Sequence, residues 1–213
     1  MTPENRRREA SPAPGSADPL LTRRAALRGL VGFLLALAFW FGFSRAYEKT
    51  LAFGSGALTN LFESPDVTRL EARDGEILLD RRDFPPRSAR PGLSGPDIHF
   101  NFVLLVALFA LDPRPLRGAH VARFLAAAAV LWLIHVIALV FQVHSVYVTS
   151  LGAWSAANYG RVARNFWAAG WHFYLIAGRF AAPFALWWLF GRREEETVLE
   201  KPRRRTKGRR SKG

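Results

Sequence analysis

The chain has 213 residues, half of them hydrophobic, yet 22% are charged, the net charge is +13 and the pI is about 11.3. It contains no cysteine, which excludes disulfides, thiolate metal sites and a cysteine nucleophile. The charges are gathered in blocks between apolar runs rather than mixed among them, the distribution expected of a polytopic membrane protein.

Residues 1–24 are rich in Pro, Ser, Gly, Ala and charge, without an apolar period, and read as a disordered basic tail. A first span is expected over residues 25–47. Arg23, Arg24 and Arg28 flank its start and hold that end in the cytoplasm. Ser44-Arg45-Ala46 loosely fits a signal-peptide cleavage site, but the long basic leader and the length of the apolar run favour an uncleaved anchor. Residues 48–97 form the one sizeable hydrophilic loop, with Glu48 to Leu61 able to continue the first helix as an amphipathic stub. A β-hairpin is predicted over 67–81, turning at Asp74-Gly75, where positive φ is needed. From Arg45 to Asp97 eight basic residues face nine acidic ones, a near-neutral balance that suits an exported loop. Glu71, Asp74, Glu76, Asp80 and Asp83 are spread by strand alternation over both faces of the hairpin, against a metal site.

Residues 98–111 make a second apolar run, short for a span unless the helix starts near Leu93. Arg114, Arg117 and Arg123 make the loop 112–123 basic and cytoplasmic. Residues 124–143 are a third span with His135 at its middle. The segment 144–165 reads as an exported loop or interfacial helix whose Tyr147, Trp154 and Tyr159 suit headgroup depth. Residues 166–190 form the fourth span, with only His172 and Arg179 able to carry charge. The tail 191–213 is basic. The expected class is therefore an α-helical integral membrane protein with four transmembrane helices and a small exported loop containing a hairpin. Both termini lie on the cytoplasmic side of a bacterial inner membrane. Arg203, Arg204, Arg205, Arg209 and Arg210 would touch anionic lipid, a simpler role directly after a span than binding nucleic acid.

Asn158, Asn165, His172 and Arg179 recur every seven positions, so one unbroken helix would align them with a drift of about 20° per step. Two readings of this line stay open. In one, it is a polar site entered from the exported face, with Arg179 holding an acidic group of a partner and His135 completing a hydrogen-bond network. In the other, it is an interhelical clamp. Pro183 lies four residues after Arg179, so it withholds the N–H that the Arg179 carbonyl would otherwise receive. No phosphate-cradling, nucleophile-elbow or metal-ligand motif occurs, and no cofactor is called for.

Phe100-Asn101-Phe102-Val103-Leu104-Leu105, Asp112-Pro113 and Gly178-Arg179-Phe180-Ala181-Ala182-Pro183-Phe184-Ala185-Leu186-Trp187, within this order of parts, resemble the bacterial exosortase-associated integral membrane proteins, those of the exosortase H type above all. The resemblance covers the last half of the chain. It implies a non-enzymatic accessory of an envelope protein-sorting or assembly system, with a sorting transpeptidase as membrane partner. The transpeptidases themselves use a cysteine, which this chain lacks. The alternative is an intramembrane enzyme or carrier using His135, His172 and Arg179.

Overall fold

The computed structural model describes residues 19–63, 66–84, 90–112 and 115–191. The first helix, α1 (Pro19–Asn60), is 42 residues long, about 63 Å at 1.5 Å per residue. It begins inside the stretch expected to be tail and runs unbroken through the amphipathic stub. The remainder of the N-terminal tail and residues 192–213, including the arginines expected to touch lipid, lie outside the described residues.

Three antiparallel strands follow, β1 (Thr68–Arg73), β2 (Glu76–Arg81) and β3 (Gly92–Ser94), in the order β1-β2-β3. The hairpin closes with Arg73 opposite Glu76 and φ of 51° and 86° at Asp74 and Gly75, both in the left-handed region that the tight turn demands. The third strand was not expected. It pairs Leu93 with Ile77 in what reads from sequence as a proline-marked linker. Alternation along β2 turns Ile77 and Leu79 inward, where with Leu93 they pack on Leu51, Leu139, Val143 and Tyr147. The sheet thus caps one end of the helical bundle, called the sheet end below.

The helices after the sheet are α2 (Gly95–His99), α3 (Asn101–Ala110), α4 (Gly118–Thr149), α5 (Ala153–Asn158) and α6 (Arg161–Phe173). A π-helical turn (Tyr174–Gly178) then leads without a break into α7 (Arg179–Gly191). Among the described residues, three helical stretches are long and apolar enough to cross a membrane: Arg23–Asn60, Gly118–Thr149 and Arg161–Gly191. Large apolar side chains exposed on them, among them Phe39 and Phe43 of α1, Leu133 and Ile137 of α4, and Phe180 and Phe184 of α7, form the surface that lipid covers. The chain is a membrane protein with three such helices; the stretch 98–111, expected to be a fourth, is a shorter apolar helix.

The reason lies in where that short helix sits. Leu93 is taken by β3, so the helix cannot begin there, and it starts instead at Gly95. α3 packs against α1, α4 and α7, and none of its ten residues is exposed. Protein covers most of it, so the bilayer does not dictate its length. Gly32 of α1 faces Ala110, and an added Cβ would collide with it, so the two helices touch almost backbone to backbone. At that end Leu105, Phe109, Ala127, Leu131 and Leu186 make a second apolar core.

Candidate partner-binding cleft and its buried polar lock

The break between α2 and α3 carries the densest polar chemistry in the bundle. Pro183 of α7 has no N–H for the carbonyl of Arg179, four residues earlier. Asn101 supplies the missing donor: its Nδ2 gives a hydrogen bond to the Arg179 carbonyl at 2.7 Å. A carbonyl can only accept, which fixes the Asn101 amide and turns its Oδ1 toward His135 Nε2, 2.8 Å away. His135 Nε2–H therefore donates, and its Nδ1 accepts from the Tyr47 hydroxyl at 2.8 Å. One directed chain of hydrogen bonds thus joins α1, α4, α3 and α7, with His135 fully buried.

A second chain lies beside it. Trp40 Nε1–H donates to His99 Nδ1 at 3.0 Å, so His99 Nε2–H points to Glu48 Oε1 at 3.3 Å. Glu48 and His99 are both buried. A Cβ at Gly95 would meet the Glu48 carboxylate 2.8 Å away, so only glycine admits this acid beneath the start of α2. Tyr174, first residue of the π-turn, donates its hydroxyl to the Ile98 carbonyl at the end of α2.

The π-turn sets the direction of Arg179. The Arg179 N–H reaches back to the Tyr174 carbonyl, five residues earlier, which turns the helix register just before the guanidinium. Arg179 then lines an open cleft of about 470 Å³ with Asp97, Asn101, Phe33, Phe100, Leu104 and Phe180. Among the described residues its Nη1 has only long contacts, 3.5 Å to the Asp97 carbonyl and 3.8 Å to the Asp97 carboxylate. The guanidinium lies 5.0 Å from the Phe180 ring, and its side chain is 31% exposed. A planar fork of five donors so lightly engaged, beside apolar walls, is suited to a carboxylate or a phosphate.

The seven-residue line does not survive as a line. Asn158 ends α5, and Tyr159-Gly160 separate it from α6; its amide turns back to the Trp154 carbonyl at 2.8 Å. Asn165 is exposed on α6. His172 is exposed as well, its Nδ1 bonded to the Ala168 carbonyl at 2.7 Å, and the π-turn rotates Arg179 away from it. Of the five residues singled out, only His135 and Arg179 are brought together, through Asn101. Asn101 was legible as a polar residue inside an apolar run. Glu48 and His99, 51 positions apart, carried no shared signal.

Arg81 was not singled out at all, yet it holds the sheet to the bundle. Its Nε and Nη2 bond both oxygens of Asp83 at 2.9 and 2.8 Å, and Nη1 lies 3.4 Å from Glu63. Three rings enclose the guanidinium, Tyr147 at 4.7 Å, Trp154 at 4.8 Å and Phe84 at 5.4 Å. Glu63 also accepts from the Thr68 hydroxyl at 2.6 Å, and that hydroxyl meets Tyr147 at 2.5 Å. Burial opposes the charge of Arg81, but the hydrogen bonds of Asp83 outweigh it and hold the proton more tightly than usual. The same bonds keep the Asp83 carboxyl below the usual carboxylate range, while burial raises the Tyr159 hydroxyl.

No protein-family model matches the chain, and no curated protein or solved structure matches it either.

Proposed function

We propose that the chain is a non-enzymatic accessory protein of a bacterial envelope protein-sorting or assembly system, and that its Arg179 cleft takes an acidic group of a membrane partner. The partner class implied by the family resemblance is a sorting transpeptidase. The observation that carries this reading is the arginine itself: a charged fork with only long contacts among the described residues, at the wall of an open cleft among membrane helices. An intramembrane cation is expensive to keep unless it has work to do there. The histidines support a binding role over a catalytic one, since His135 and His99 each already hold two partners inside the fold.

The topology goes with this proposal. α2 and α3 form a fourth crossing, and both termini lie in the cytoplasm of an inner-membrane protein. What supports the fourth crossing is that Leu111 lies against Gly29 and that His120 donates to the Phe109 carbonyl. The first turns of α1 and α4 therefore share an end, and the chain must return to it between them. The basic flanks of that end, Arg23, Arg24, Arg28, Arg117 and Arg123, support its cytoplasmic side. There the tail arginines, from Arg203 to Arg210, rest on anionic lipid.

The test is co-purification from native membranes in mild detergent. The wild-type chain is expected to retain one membrane protein at a fixed ratio, and Arg179→Gln to lose it while its own membrane abundance stays normal. A wild-type chain that purifies alone, or an Arg179→Gln variant that no longer accumulates, overturns the proposal.

A further inference from the structure

At the end of the bundle away from the sheet, a groove of about 640 Å³ runs between the first half of α1, the end of α3 and the start of α4. Leu27, Val31 and Leu35 recur every four residues along one wall, while Phe109, Val121 and Phe124 make the other. The close contact of Gly32 with Ala110 forms its floor. The walls face outward among the lipid-exposed side chains, since Leu27 and Leu35 are more than half exposed. A groove of this kind is filled by something apolar and flexible in a bilayer.

Its head is not apolar. Arg28 lines the groove one residue after Leu27, and its Nη1 is shut off from solvent with no hydrogen-bond partner among the described residues. A buried guanidinium N–H left unpaired is costly, and an anionic oxygen is the partner it fits best. His120 closes the same corner; its Nε2 is bonded to the Phe109 carbonyl, and its Nδ1 faces Asp112 Oδ2 at 3.5 Å. The acid of this corner is thus turned toward the histidine. Exposed Arg23 and Arg24, four residues before Leu27 and Arg28, and Arg117, next to Leu116, add positive charge to these helix starts.

We propose that this groove is a site for one anionic phospholipid, with an acyl chain along Leu27, Val31 and Leu35 and the phosphate on Arg28. The charge and the groove match in order: an anion-seeking fork at the rim of the bundle, then a channel of hydrocarbon running inward from it. A basic pocket between membrane helices is the form that selective headgroup sites take. The site is separate from the Arg179 cleft, shares no lining residue with it and stands whether or not that cleft has a partner.

Native mass spectrometry of the full chain, titrated with phosphatidylglycerol or phosphatidylcholine in detergent, tests it. The wild type is expected to retain one phosphatidylglycerol in preference to phosphatidylcholine. Arg28→Gln should lower that preference about tenfold, the worth of one charge-assisted hydrogen bond. Arg28→Lys should keep part of it. Val31→Trp, which fills the groove, should reduce retention of both lipids. Equal retention of the two lipids by the wild type, or an unchanged preference in Arg28→Gln, overturns the proposal. Arg28→Gln decides the matter even where Val31→Trp fails to accumulate.

Discussion

Two arginines in this protein hold opposite positions. Arg81 has a bidentate carboxylate, a second acid and three rings around it, and its side chain is 9% exposed. Among the described residues, Arg179 has contacts of 3.5 and 3.8 Å to a single residue, one ring, and an open cleft in front of it. The first is built into the fold, because each nitrogen of its fork meets a carboxylate oxygen and rings enclose the rest. The second is placed by the fold but not engaged by it. Its backbone is held by Asn101 and by the π-turn while its side chain is left to something else. Residue type and charge do not separate structure from function here; the completeness of the surrounding partners does.

Removing Arg81 should have the largest effect. Arg81→Met leaves Glu63 half-paired under the sheet and is expected to lower stability by roughly 3 kcal/mol or more, as breaking a buried ion pair does. Thermal unfolding in detergent reads this, and a loss below 1 kcal/mol would erase the contrast with Arg179.

Asn101→Leu comes next. It strips the Arg179 carbonyl of its donor and His135 of its acceptor, at about 2–4 kcal/mol for two buried groups left unpaired. Pro183→Ala returns an N–H to that carbonyl, so the double variant Asn101→Leu/Pro183→Ala should recover about 1 kcal/mol beyond additivity. A purely additive cycle would show that the carbonyl is not what Asn101 is there to satisfy.

Arg179→Gln should change stability by less than about 1 kcal/mol, the range of exposed ion pairs. A loss as large as that of Arg81→Met would make Arg179 a structural clamp.

The smallest effect is that of pH on the sheet. Arg81 depresses the Asp83 carboxyl in the folded state, so its stabilising contribution is present above the ordinary carboxylate range and is lost as pH falls through the lowered folded value. Hydrogen exchange in β2 should therefore quicken only on acidification below about pH 4, and Asp83→Asn should flatten that limb. Quickening that begins near neutrality would point to another group.

Much of the architecture could be read from the chain. Apolar run length located the long helices, and Asp74-Gly75 located the hairpin, because each is a local property of a contiguous segment. Pro183 marks the Arg179 carbonyl from sequence but not its donor, since Asn101 lies 78 positions away. The polar line failed for a local reason: seven-residue spacing implies alignment only on an uninterrupted α-helix, and both Tyr159-Gly160 and the π-turn interrupt it. Arg81 was illegible because its five partners come from four stretches of chain, and one charged residue at the end of a strand looks like any solvated surface residue. The role of the short helix was hidden likewise. Its sequence shows only that it is apolar; that it lies at the centre of the bundle is a property of the three helices around it.

The most direct measurement is site-specific photocrosslinking in native membranes from a probe at Phe180, on the wall of the Arg179 cleft. Yield is taken per unit of membrane-inserted protein in the wild type, Arg179→Lys and Arg179→Gln. The account predicts one discrete protein adduct in the wild type, a weaker one with lysine and none with glutamine, at equal abundance of all three chains. Equal adduct yield from the wild type and Arg179→Gln, or no protein adduct in any of them, would contradict it.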